Sequence, residues 1–171
     1  MPFTGPTPRL EHIADMRVDI ARPLSGGVTP MGMRNWFGFT GGSLTSTSGQ
    51  PALVAKVLPG GGDYSIFHQE AGVIRLDINM VAVDSNNDLF KFRNTGFIKL
   101  DDRTTPLVLG TPGSKSTEFG ESEVVESITI ETASKEWAWL NFATLIGQVK
   151  MVAEDGMFAA FEIRVFKITM S

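Results

Sequence analysis

Between Val73 and Val83 the chain alternates with a two-residue period. Ile74, Leu76, Ile78, Met80 and Ala82 share one parity, while Arg75, Asp77 and Asn79 share the other. That spacing gives one apolar face on an extended chain and none on a helix, because side chains repeat every two residues along a strand and every 3.6 along a helix. Asp84-Ser-Asn-Asn-Asp88 follows as a hairpin turn, and Leu89–Lys99 returns with Phe90, Phe92, Asn94 and Ile98 on one side. A chain that repeats this unit must pair strand with strand.

The repetition runs through most of the sequence. Leu10–Ile20 alternates, with Leu10, His12, Ala14, Met16, Val18 and Ile20 on the apolar parity. Arg22–Pro30 is turn chemistry, and Met33–Phe39 is a second strand ended by Gly41-Gly42. Ser43–Gln50 reads as a small-residue loop. Ala52–Leu58 leads into Pro59-Gly-Gly-Gly62, a corner expected at one rim, with Gly61 in a left-handed conformation. Further strands are expected at Ile66–His68, Ser127–Thr132, Leu145–Met151 and Phe158–Ile168, with a turn of helix opening at Trp137. Asp101–Glu121 is a long polar loop, of the kind that is usually functional or mobile. Nine or ten strands with short turns predict an all-β fold, a single closed antiparallel β-barrel over residues 1–171 with a loose lead-in at 1–8.

Composition removes several function classes. The net charge of −4, with Lys and Arg scattered singly, gives no footprint for nucleic acid or an anionic membrane. There is no cysteine, so disulfides and thiolate chemistry are excluded. The two histidines, His12 and His68, lack metal-site spacing, and no metal or cofactor is expected. No Gly-x-Ser-x-Gly elbow and no Gly-Lys-Ser/Thr phosphate loop occurs. The N-terminus lacks a signal-peptide pattern and no apolar run has the length of a membrane span, so a cytoplasmic location is expected.

Seven short motifs appear in order. They are Thr29-Pro-x-Gly-x-Arg34, Gly41-Gly42, Val57-Leu-Pro-Gly-Gly with Asp63, Gly72 with Leu76-Asp77, Arg93-Asn94-x-Gly96, Glu131-Thr132 and Ala138-Trp-Leu-Asn141. Together they resemble the domain-of-unknown-function family 3237, whose members are similar to calycin-like β-barrels. Tyr64 stands where that family often has tryptophan, and Met80 where it often has tyrosine. The resemblance implies a small-molecule site, and for some fungal members a cofactor-free isomerase of the chalcone-to-flavanone type. The alternative is a lipocalin-like carrier without catalysis. A homo-oligomer is compatible with either.

The expected site combines two sets of residues. Arg34 or Tyr64 would hold an enolate oxygen, His68 or His12 would manage a phenol proton, and Asp77 matches a family position. His12, Asn94, Trp139 and Asn141 would line the substrate. Each has a structural alternative. His12 could be a core histidine, Asn94 and Asn141 could brace turns, Arg93 could pair with Asp77, and Trp139 could be core. Which parity faces the interior stays open at this level.

Overall fold

The computed structural model describes residues 5–170. Ten strands form a single antiparallel sheet: β1 (Pro8–Ile20), β2 (Leu24–Thr29), β3 (Gly32–Ser46), β4 (Val54–Val57), β5 (Gly62–His68), β6 (Val73–Asp84), β7 (Leu89–Lys99), β8 (Val124–Thr132), β9 (Leu145–Glu154) and β10 (Met157–Met170). Pairing runs from β1 through β10, β9, β8 and β7 to β6, then to β4 and β5, then to β3, which pairs with β1 again. The sheet thus comes round on itself as a barrel-like ring. The first four residues of the expected lead-in lie outside the described residues, and its last, Pro8, opens β1.

The parity question resolves in favour of an apolar interior. Along β6, Ile74, Leu76, Ile78, Met80 and Ala82 are all buried, and Phe90, Phe92 and Ile98 of β7 join them. Each of these side chains larger than alanine contributes roughly 1.5–3 kcal/mol when taken fully out of water. The ring is filled rather than hollow.

Several boundaries differ from the sequence reading. The Arg22–Pro30 segment contains β2, paired with β3 across a bulge between Ser25 and Gly27. β3 continues through Gly41-Gly42 to Ser46, because its far end pairs with β1 and β4. The glycine corner does not sit at a rim. β4 and β5 occupy one position in the ring, both lying between β3 and β6, and Leu58–Gly61 is a kink in the middle of that wall. The Phe39 N–H donates to the Gly61 carbonyl at 2.8 Å and the Leu58 N–H to the Val81 carbonyl at 2.8 Å, so both neighbours hold the kink. Gly60, with φ of 105°, is the left-handed residue. Gly61 is needed for a different reason: a Cβ there would stand 2.6 Å from the Asn79 carbonyl oxygen.

The two ends of the ring are stopped differently. At one, the long loop after β7 folds at once into a short helix, α1 (Thr104–Val108). Asp101 accepts from the backbone N–H groups of Arg103 and Thr104, and these bonds outweigh its partial burial and hold its carboxyl below the ordinary range. Leu107 of α1 is fully buried, and α1 spans the opening from β9 and β10 to the wall of β3, β5 and β6. At the other end a 3-10 turn, Ala138–Phe142, buries Trp137 and Leu140. Among the described residues no helix is long and apolar enough to cross a membrane.

Candidate functional site

Four polar side chains lie inside the ring. Asp63 and Ser65 of β5, Asn94 of β7 and Glu126 of β8 are each at most 1% exposed. Strand alternation puts them there. Asp63 and Ser65 share the parity of Phe67, Asn94 that of Phe92, and Glu126 that of Val124, Ile128 and Ile130. The pairing register runs Phe37–Asp63–Ile78–Asn94–Ile128 across four neighbouring strand pairs, with Glu126 two residues from Ile128. Two carboxyl groups therefore share one apolar enclosure.

Their hydrogen bonds are incomplete. The Asp77 backbone N–H donates to Asp63 Oδ1 at 2.8 Å, and Asn94 Nδ2 donates to Glu126 Oε2 at 2.8 Å. Asp63 Oδ2, Ser65 Oγ, Asn94 Oδ1 and Glu126 Oε1 are buried without a partner. Buried polar atoms are nearly always satisfied, and leaving one unpaired costs roughly 1–3 kcal/mol. Four in one enclosure is a cost that folding alone does not call for. Burial pushes the Asp63 carboxyl up to about 7, against the Asp77 N–H and with help from the Asp77 charge. Burial likewise pushes Glu126 up to about 7, with the Asn94 hydrogen bond opposing and the Asp63 charge adding. Both groups thus exchange protons near neutrality.

A cavity of about 500 Å³ opens at the α1 end of the ring. Met33, Asn35, Phe67 and Ile74 form its inner wall, and Val108 and Leu109 of the α1 segment cover it. Asn35 pairs with Ser65 across β3 and β5. Leu76, Gly96, Glu126 and Gly147 follow as paired neighbours on β6 to β9. The cavity floor and Glu126 thus stand at one level of the ring, and both strand neighbours of Glu126 are glycines. Among the described residues no cluster of three or more His, Asp or Glu could hold a metal ion.

The residues selected from sequence do not converge on this enclosure, Asn94 excepted. Arg34, Tyr64, His68 and Asp77 occupy the outward parity of β3, β5 and β6. Tyr64 is 48% exposed, with the Arg34 guanidinium 4.9 Å above its ring and donating to its carbonyl oxygen. Their expected place in an interior pocket is corrected: the alternation that turns Asp63 and Ser65 inward turns Tyr64 outward. His12 is a subtler case. It shares the apolar parity of β1, but the register shifts between His12 and Ala14, so the extra residue, Ile13, turns inward and His12 faces out. Its ring packs on Phe166 and its Nε2 lies 2.9 Å from Asp15, beside an outer cleft of about 550 Å³.

Asn141 braces a turn. Its Oδ1 accepts from the Thr132 N–H, and its Nδ2 donates to the carbonyls of Thr132 and Ala138. Trp139 is half-buried, packed on Trp137, with the Lys167 ammonium 4.5 Å from its ring. Arg93 pairs in register with Asn79 and no ion pair joins it to Asp77. Glu126 shares the parity of Val124, Ile128 and Ile130, a signal the sequence carries, but a strand begun at Ser127 excludes it.

The comparisons agree with this architecture. A model of the family described as "Protein of unknown function (DUF3237)" matches residues 8–168. "PR-toxin biosynthesis cluster protein 7" of Penicillium roqueforti is 33% identical over 174 residues, covering 95% of this chain and 93% of that protein. A conserved protein of unknown function from Rhodopseudomonas palustris superposes with a TM-score of 0.79 at 19% identity, over 96% of this chain and 99% of its own. An enzyme from Penicillium herquei superposes with a TM-score of 0.62 at 15% identity, over 99% and 98%. At such identities the two structures speak for the fold alone. The family match and the Penicillium roqueforti relative together show that this chain belongs to the DUF3237 family.

Proposed function

We propose that this protein is a cofactor-free isomerase or cyclase of secondary metabolism in which Asp63 and Glu126 move the proton. One observation carries the reading: two carboxyl groups share an apolar enclosure, each with an unpaired oxygen, and both are poised near neutrality. Groups of that kind serve as general base and general acid at physiological pH, and such catalysis is typically worth about 10²–10⁴-fold in rate. The biosynthesis-cluster relative supports a role in secondary metabolism.

The concrete form is an intramolecular ring closure of a phenol onto an enone. One carboxylate takes the phenol proton, the oxygen attacks the β-carbon, and the enone π electrons shift to an enolate. The other carboxyl group then delivers a proton to the α-carbon, so the product is an isomer and both carboxyl groups are ready again after one proton exchange. Holding phenol and enone together supplies much of the barrier reduction, up to about 7–11 kcal/mol in well-oriented intramolecular cases. Asn94, through its hydrogen bond, fixes the Glu126 carboxyl.

The test is a panel of 2′-hydroxychalcones followed by loss of the conjugated ultraviolet band, with chiral analysis of the flavanone. Acceleration with one enantiomer in excess is expected, reduced about 10²–10⁴-fold in Asp63→Asn and Glu126→Gln. Racemic product at the uncatalysed rate refutes the chalcone-type reaction. Parental turnover in both variants refutes the carboxyl pair for whatever substrate is found. Tight binding without turnover across aromatic enones would leave a carrier.

A further inference from the structure

The α1-end cavity has a composition that selects its occupant. Of the side chains in its wall none is charged, and Met33, Phe67, Ile74, Leu100, Val108 and Leu109 give it an apolar lining. Its volume, about 500 Å³, falls within the range of small-molecule sites, roughly 300–1,000 Å³. At its inner end stands Asn35, half-buried, whose amide makes no hydrogen bond to the protein. Ser65, paired with Asn35, is fully buried and its hydroxyl is also unpartnered. Beyond them, at the same level of the ring, lies Glu126.

We propose that this cavity is the ligand entrance, taking a neutral, mostly hydrocarbon or aromatic molecule that leads with a hydroxyl or carbonyl group, read by Asn35. The inference rests on the carboxyl pair as the destination of that group, and it adds the charge class, the direction of entry and the residue that selects. An uncharged wall gives a carboxylate or phosphate nothing to offset its lost hydration, and Asp63 and Glu126 ahead of it repel an anion further. A hydroxyl or carbonyl finds both a donor and an acceptor on the Asn35 amide. The α1 segment, through Val108 and Leu109, lies across the hydrocarbon tail, and Phe67 separates the cavity from Ser65 along β5.

Isothermal titration of the full chain at pH 7.5 with 2-naphthol and 2-naphthoate separates the charge class, since the two share one ring system. The neutral naphthol is expected to bind at least about tenfold more tightly. Leu109→Trp fills the cavity from an exposed position, so it should fold normally and lose naphthol binding about tenfold or more; Val108→Trp is the second such variant. Asn35→Leu should weaken naphthol binding by a similar factor and leave any residual naphthoate binding unchanged. Equal or tighter naphthoate binding, no binding of either probe, or naphthol binding untouched in both tryptophan variants would overturn the proposal. Turnover distinguishes its failure from that of the catalytic reading. Selective naphthol binding lost in Leu109→Trp, with no enone turned over, upholds the cavity and sinks the carboxyl chemistry. Turnover undiminished in Leu109→Trp sinks the cavity and leaves the chemistry standing.

Discussion

Replacing Glu126 with glutamine should make the protein more stable at neutral and alkaline pH, and the gain should disappear in acid. The Glu126 carboxyl is held up from an ordinary 4.5 to about 7, burial being the main cause. Between those two values the folded protein keeps a proton that the unfolded chain has released. The folded state then binds more protons than the unfolded one, so stability falls as pH rises through that window and the loss is complete above about 7. A displacement of that size corresponds to about 3 kcal/mol for this group. Glutamine has the shape of the protonated acid and can still accept from Asn94 Nδ2, so it keeps the hydrogen bond and escapes the loss. For a chain of this size about 3 kcal/mol is roughly 6–12 °C in Tm. Differential scanning calorimetry at pH 4, 5, 6, 7 and 8 reads it: the variant-minus-parent difference should be near zero at pH 4, grow through pH 5, 6 and 7, and level off by 8. Asp63→Asn should behave alike, and the two should not add, because the Asp63 charge is one of the causes that raise Glu126. A difference that stays flat with pH, or that shrinks as pH rises, would show that the two acids are not held neutral by a shared dry enclosure.

The wall kink separates two uses of glycine. Gly61→Ala forces a methyl group against the Asn79 carbonyl and should cost about 1–3 kcal/mol by thermal or urea unfolding. Gly60→Ala meets no neighbouring atom but carries a φ of 105°, so its cost of about 1–2 kcal/mol comes from conformation alone. Asn141→Ala strands the Thr132 N–H and should cost about 1–3 kcal/mol while leaving naphthol affinity unchanged. Arg34→Ala, on the outer face, should leave turnover of any active substrate unaffected; its loss would move the site to the outside of the sheet.

The fold was legible where alternation is unbroken, as along β6 and β7, because a two-residue period fixes which side chains face the core. It was less legible where the chain changes face or carries small residues. β2 is Leu-Ser-Gly-Gly-Val-Thr, whose glycines read as a turn, yet β3 offers it a paired edge and the pairing decides. The far half of β3 is Thr-Gly-Gly-Ser-Leu-Thr-Ser, again loop-like in isolation. Tertiary pairing overrides propensity at both places. The bulge between His12 and Ala14 carries no local signal, and one extra residue there sends a histidine from the apparent inside to the outside.

The site was legible in a different sense, because its members break the rule that revealed the fold. Asn94 and Glu126 sit on the apolar parity of their strands, and Asp63 is the second residue past the kink, where parity cannot be counted from β4. The histidines and Arg34 are the conspicuous chemistry of the sequence, yet strand geometry places them on the outer face at little cost. A carboxyl group on an apolar parity is the stronger signal, since burying it is expensive and a solvent-facing alternative is always one residue away. Asp77, on the outward parity of β6, shows that alternative: it keeps its side chain at the surface and lends only its backbone N–H to Asp63. Two inward acids on strands separated by β6 and β7, with an asparagine between them in the register, form an arrangement that packing does not require. The glycines that flank Glu126 across the sheet are there because a Cβ would clash, at Gly96 with the Val125 backbone and at Gly147 with the Ile128 and Ile163 side chains, so strand and core close tightly around a buried charge.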